Sequence, residues 1–543
     1  MAVAAHHRAA SARAAIPPRQ PGVPAPARLA ARDSTPRRLM TAAHTATADD
    51  GSADRRRLAR GGGLSFVGSA VSAALGFVAT VVVTRALGDA GAGQVLQLMG
   101  VLTIAMSFGR LGMDSVGVWL MPRLVDEPQR IRGALTLQLG VALLGGAIAA
   151  LAIALVLPGL GIGIDTELLR ATAAFVPAGC LALTALAALR GLGELRGYVV
   201  LGSVALPLAR VALLVVAALA LATPLALGLA WSAALAPLAL AAVAVLIARA
   251  RRTGAAAGVR GPWLADGALV RRTLGYALPR TLSAVLEQGL LWLSVILVGA
   301  LAGSAAAGDY GAASRLIAAG LIIDTAVRVV VSPRFSALLH AGRLAETEAL
   351  YRTAASWLVL FSAPIYLLLG VFAPLVLGWF GDSFRDGAIA LAILCGGAIV
   401  TFLAGNVHSL LLMSGRSGWA AGNKAAVLAL NIVANLILIP LLGVTGAAIA
   451  WAGSMLLDAL LATVEVRLLL GIRPGLAHVL GALLVPLVLV GIPAVALRWL
   501  LGATPGALAA AVAISAIGLL VWARLAGRRH QLDELVAAFR RRG

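Results

Sequence analysis

Charge is scarce in this chain, and one cation is nearly missing. Charged residues make up 12% of its 543 positions, about half the ~25% of an ordinary soluble domain. Of 44 basic residues only Lys424 is a lysine. Cysteine is limited to Cys180 and Cys395. Both fall inside apolar runs, so small core residues are expected there rather than a structural disulfide. No Cys/His spacing of a metal site occurs, and neither metal nor cofactor is expected. The phosphate-binding loop of nucleotide-driven pumps ends in Gly-Lys-Ser/Thr. The lone lysine stands in Gly-Asn-Lys-Ala instead, which excludes that power source within this chain. No Asp-x-Asp, His-rich or nucleophile-elbow motif appears, so enzymatic activity is not expected.

What the chain has is apolar length. Hydrophobic residues reach 60% and mean hydropathy is +0.95. A bilayer core about 30 Å thick needs ~20 apolar residues per spanning helix. About fourteen segments qualify: 62–84, 92–113, 133–157, 168–189, 198–221, 224–248, 275–301, 310–333, 353–378, 387–412, 421–442, 444–466, 476–500 and 505–524. Lipid-exposed backbone must satisfy its own hydrogen bonds, and runs this long without alternation exclude a barrel. The fold class expected is an all-α polytopic membrane protein. Its organisation reads as a disordered tail (1–60), a six-helix lobe (61–250), a linker (251–273), a second six-helix lobe (274–470), two further helices (475–525) and a basic tail (526–543). Residues 1–60 hold no apolar run of signal-peptide length. Met40 precedes the more ordinary stretch Thr41–Arg60 and is an alternative start.

The net charge of +21 is explained by topology rather than by nucleic acid. Arginines crowd alternate loops, among them Arg123, Arg130, Arg132, Arg190, Arg196, Arg251, Arg252, Arg271 and Arg272. The intervening loops carry only Arg85, Arg170, Arg385 and Arg498, amid Asp89, Asp165, Glu167, Asp309, Asp382 and Asp386. The positive-inside rule puts the first set, and both termini, in the cytoplasm of a bacterial cell membrane. Lys424 reads as one more topology charge.

The halves resemble each other at an offset of about 220 residues. Tyr198–Trp231 and Trp419–Trp451 each close a helix, turn tightly, and reopen on small residues ending in Ala-Trp. Arg110 and Arg328 match when Gly93 is laid on Gly311. With six spans per repeat the halves are parallel, related by a pseudo-two-fold along the membrane normal.

Ionisable residues within spans are costly and point to a cavity or a partner. Arg210 and Glu287 lie farthest from either interface and are read as cavity residues. Arg110 and Arg280 either face a cavity or snorkel to headgroups. Asp324 and Arg328, four apart, either serve a site or neutralise each other. Arg315 and Asp458 complete the buried charges. Asn431 and Asn435 share a helix face and either bond a neighbouring helix or contact substrate. His408 is read as a packing hydrogen bonder.

The stretch Asn431–Trp451, NIVANLILIPLLGVTGAAIAW, resembles the polysaccharide exporter and oligosaccharide flippase branch of the multidrug/oligosaccharidyl-lipid/polysaccharide exporter superfamily. Gly62–Gly88 with its Thr-Arg-Ala-Leu-Gly end, Gly91–Gln94, Gly109–Gly112 and Gly308–Gly311 are similar too, in the same order, over about 60–525. O-antigen flippases are the most similar branch. The resemblance implies two lobes around a central cavity, working by alternating access. It also implies a polyprenyl-pyrophosphate-linked oligosaccharide as substrate, for surface polysaccharide synthesis, with glycosyltransferase or polymerase neighbours. Arg110, Arg210, Arg280, Arg315 and Arg328 are then the candidates for pyrophosphate, since arginine meets phosphate bidentately. Asn431 and Asn435 are further substrate candidates. Glu287, Asp324 and Asp458 are the candidates for a coupling proton or sodium ion. The first span, 62–84, has no charge. It therefore departs from peptidoglycan-lipid flippases, which carry arginines there, and from the multidrug branch, which commonly carries an acid. An ion-coupled drug exporter and a non-transporting scaffold are the alternatives.

Overall fold

The computed structural model describes residues 37–526 apart from 125, 257, 259–260, 415 and 474, with side chains described from Val67 onward save at a few further positions. Of the tail expected over 1–60, residues 1–36 lie outside the described residues, as does the basic tail from 527. Helix α1 already runs from Arg37 (Arg37–Gly109).

Among the described residues the structure is helical, without a strand. Ten helices are long and apolar enough to cross a membrane, or twelve if each of two bent pairs is one span. Two of the ten, Val67–Gly109 and Gly418–Leu470, run 43 and 53 residues. Straight, they would be about 65 and 80 Å long, two to nearly three times the thickness of a bilayer core. Both contain one glycine off helical geometry, Gly88 (φ 66°, ψ −168°) and Gly443 (φ 58°, ψ −133°). Only glycine takes such angles without a steric penalty. The sequence places a boundary between two spans at both points.

After α1 come α2 (Met113–Leu120), α3 (Pro128–Leu155), α4 (Thr166–Ala173) and α5 (Val176–Gly191). Next are α6 (Leu195–Ala220), α7 (Pro224–Arg252) and α8 (Gly267–Ala302). Then follow α9 (Ser304–His340), α10 (Leu344–Val371), α11 (Asp382–Leu403), α12 (Val407–Met413) and α13 (Ser417–Leu470). The last two are α14 (Leu476–Leu501) and α15 (Pro505–Ala526). Several helices begin earlier than apolar content predicts. Pro128 occupies the first turn of α3. Asp266 caps α8 by accepting from Leu269 N at 2.7 Å. Caps and first-turn prolines set helix starts regardless of hydropathy.

Helices α2 to α7 pack mainly among themselves, with α5 against α2, α3 and α7. A second group does likewise, with α13 against α8 and α11, and α10 against α9, α11 and α14. Large apolar side chains face outward all round, including Leu219, Leu240, Leu468 and Trp499, each more than 75% exposed. In water such a surface would aggregate; against lipid it is the satisfied face. The matched arginines hold matched places. Arg110 follows the end of α1, where Leu111 and Gly112 turn at φ 46° and 69°. Arg328 lies where α9 bends by 46° between Thr325 and Val330.

At the arginine-poor end the first and second groups meet through glycines. A Cβ on Gly93 would overlap the Ser304 carbonyl and lie 2.8 Å from Gly308 N, and one on Gly308 would overlap Asp89 O. Gln97 stitches the seam by donating to Ile162 O at 3.0 Å and Ile296 O at 3.3 Å. Arg85 donates to Trp379 O at 2.8 Å.

Candidate functional site

A cavity of about 930 Å³ opens between the groups. One wall is the charge-free stretch of α1 from Ser69 to Thr80, where small side chains leave the space. Arg210 and Trp231 come from the first group, Trp292 and Arg315 from the second. The Arg210 guanidinium carbon lies 3.8 Å from the Trp231 ring centre, and its Nε donates to Trp231 O at 3.3 Å. Arg315 lies 3.9 Å from the Trp292 ring centre. Such stacks contribute ~2 kcal/mol or more where water is excluded. They hold each guanidinium flat and leave its N–H edge as the polar surface. A π-helical stretch, Val199–Ala205, precedes Pro207 on α6, and Ser203 and Pro207 both line the cavity. Among its described lining residues none is acidic.

A second pocket of about 400 Å³ lies toward the arginine-rich end, with Arg110, Arg190 and Arg280 on its walls beside Asp114, Tyr198 and Tyr276. Arg110 is fully engaged, through Nε to Met106 O (3.0 Å), Nη1 to Asp114 (2.9 Å) and Nη2 to Ser107 Oγ (3.0 Å). Ser203 lines both spaces.

The five candidate arginines thus separate. Arg210 and Arg315 share the larger cavity, and Arg110 and Arg280 share the smaller pocket. Arg328 is exposed, 3.7 Å from Asp324, and lines neither. Glu287 is exposed on α8 and also lines neither. Asn431 and Asn435 are fully buried. Asn435 Nδ2 donates to Asn431 Oδ1 at 3.0 Å and to Ser294 Oγ at 3.3 Å, and Asn431 Nδ2 donates to Ser454 Oγ at 3.2 Å. This is helix-to-helix bonding between α13 and α8, without access to either space.

Asp458 sits elsewhere, in the second group. Its side chain is 6% exposed, with Lys424 Nζ at 2.6 Å and His408 Nε2 at 3.1 Å. Lys424 is therefore a buried acid's partner as well as a helix-end charge. Trp231, Trp292, Arg190 and the two tyrosines were not singled out by sequence as site residues. A tryptophan in mid-span was the available signal for the first two.

The structure is a bundle of apolar helices around a cavity that carries two arginines. The structure superposes on the lipid II flippase MurJ in an inward closed conformation with a TM-score of 0.65 at 13% identity, over 86% of this chain and 99% of that one. On the inward-facing conformation of a multidrug resistance MATE family transporter of the MOP superfamily, the TM-score is 0.60 at 14% identity, over 74% and 94% of the chains. The chain belongs to the family described as polysaccharide biosynthesis protein, whose profile matches residues 58–339, more than half of its length. Over 171 residues it is 26% identical to the probable low-salt glycan biosynthesis flippase Agl15 of Haloferax volcanii, covering 31% of this chain and 36% of that protein. The match thus spans about a third of the curated relative's length.

Proposed function

We propose that this protein carries a polyprenyl-pyrophosphate-linked oligosaccharide across the cytoplasmic membrane by alternating access, with the arginine-rich end in the cytoplasm. The observation that carries the reading is the acid-free cavity with one tryptophan-stacked arginine on each side. A diphosphate bridging Arg210 and Arg315 gains charge-assisted hydrogen bonds in a site sheltered from bulk water, where they are strongest. The glycan shares the remaining space with small and hydroxyl side chains of α1. Family membership and the flippase relative support the same substrate class.

Dividing the two overlong helices at Gly88 and Gly443 brings the twelve spans to fourteen: two six-helix lobes and two further helices, with both termini on one side. The glycine seam at the arginine-poor end then makes this the inward state. The acid we assign to coupling is Asp458, which faces the Lys424 amine and the His408 imidazole. A cation exporter is disfavoured, because a positively charged drug would meet two guanidiniums and no carboxylate in the cavity.

The test is deletion of the gene in its host, extraction of lipid-linked glycans, and complementation. Accumulation of a polyprenyl-pyrophosphate glycan, cleared by the wild-type gene but not by Arg210→Ala or Arg315→Ala, is the expected result. Unchanged glycan lipids together with new sensitivity to cationic dyes would sink the reading.

A further inference from the structure

We infer that the 400 Å³ pocket at the arginine-rich end is a separate anion site that takes a diphosphate diester before the central cavity does. Its place in that order rests on the transport reading above, whereas its binding chemistry does not.

Three arginines and one aspartate line the pocket. Arg110 and Asp114 neutralise each other at 2.9 Å. That leaves Arg190 and Arg280 as the uncompensated charges. Among the described residues neither guanidinium makes a hydrogen bond or ion pair within the protein; Arg190 only lies over the Tyr198 ring, 5.5 Å from its centre. Two open cations match a diphosphate esterified at both ends, which carries one negative charge on each phosphate.

The walls are held in place. Gly112 turns at φ 69°, and a Cβ there would lie 2.5 Å from Ala277 O. Only glycine lets the turn carrying Arg110 close on the stretch of α8 that carries Tyr276 and Arg280. Tyr276 in turn is stacked on Trp119, with ring centres 4.3 Å apart and planes 8° from parallel. Arg123 and Arg272 lie over Trp119 at 4.7 and 5.3 Å. A rigid tyrosine beside two open guanidiniums suits a diphosphate whose first sugar rests on the ring. Ser203 lines both this pocket and the central cavity. An anion released by Arg190 and Arg280 therefore has Arg210 next along the same wall of α6.

The experiment uses the full chain in phosphatidylcholine nanodiscs with radiolabelled farnesyl-diphosphate-N-acetylglucosamine as probe. A benzophenone amino acid replaces Val118 in the pocket or Ala318 in the central cavity. Photocrosslinking is expected at both positions. Arg190→Gln and Arg280→Gln should each raise the probe concentration needed at Val118 about tenfold, the loss of one charge-assisted contact. Crosslinking at Ala318 should not change at saturating probe. Arg210→Gln should do the reverse. Inorganic pyrophosphate should compete at Val118. Competition there by phosphatidylglycerol in the disc, and none by pyrophosphate, would reassign the pocket to a lipid headgroup and overturn the inference. Crosslinking at Ala318 alone, or a Val118 signal indifferent to both arginine variants, would also overturn it while leaving the central site standing. A Val118 signal that needs Arg280, with none at Ala318, would support this pocket and count against the central cavity.

Discussion

Gly93→Ala should pry open the arginine-poor end. The new Cβ would overlap the Ser304 carbonyl and come 2.8 Å from Gly308 N. Both are backbone atoms, so no side chain can swing away. The groups must separate there, or the start of α9 must shift. Overpacking of this kind costs ~1–3 kcal/mol. The cost falls on the closed seam alone, because position 93 is unconfined once the groups part. Each ~1.4 kcal/mol is a tenfold change in a two-state ratio, so the open population should rise about five- to 150-fold. Ala307, fully buried, can report it as Ala307→Cys. The two native cysteines are themselves buried. A membrane-impermeant maleimide applied from outside should react at least about fivefold faster when Gly93→Ala is added. Gly76→Ala is the control, since a Cβ there meets nothing within 4 Å. Equal labelling rates in the two folded variants, at equal melting temperature, would refute the argument that backbone contact at the glycines holds this end shut.

Three further outcomes follow from the buried polar groups. Asp458→Asn should lower stability by about 2 kcal/mol, below the ~3–5 kcal/mol of a fully buried pair, because the Lys424 side chain keeps 30% exposure; thermal melting in detergent would show it, and an unchanged melting temperature would contradict the ion-pair geometry. Asn435→Leu should cost about 0.6–2 kcal/mol of stability through the lost interhelical bonds and leave transport intact; a transport defect without a stability loss would return that residue to the substrate path. Arg210→Lys keeps the charge and loses both the flat stack and the paired N–H edge, so glycan-lipid flipping by purified protein in liposomes should fall about tenfold or more; wild-type rates would show that a point charge suffices.

The outline of this fold was legible because membrane solvation acts on long, simple stretches. A run of ~20 apolar residues is a helix wherever it lies in lipid. The boundaries expected near residues 88 and 443 coincide with the two glycines that leave helical geometry. The i,i+4 pairing of Asn431 with Asn435 was legible for the same local reason. Pairs made across helices, or between the two arms of α13 on either side of Gly443, were not. Arg210 and Trp231 lie 21 residues apart, and Lys424 lies 34 from Asp458. Nothing in their immediate sequence marks the partner. Lys424 looked like an anchor because it stands near a helix end, and only the packing of α13 brings Asp458 beside it. Arg328 matches Arg110 across the repeat, yet it lies exposed 3.7 Å from Asp324 and lines neither cavity. A repeat conserves backbone path more firmly than it conserves what a side chain faces.

The two stacked arginines have a mechanical consequence. Arg210 rides on α6 and Arg315 on α9, one in each group of helices, and each is clamped to its own tryptophan. Neither can reach after a departing ligand. Any rocking of one group against the other therefore changes the spacing of the two charges, like the jaws of a caliper. A ligand spanning both jaws is gripped at one spacing and slackened at every other. By thermodynamic reciprocity, whatever grips the ligand also favours that spacing of the groups. For the anion proposed above, capture and release would then be set by how far apart the helices stand, with no separate releasing residue needed.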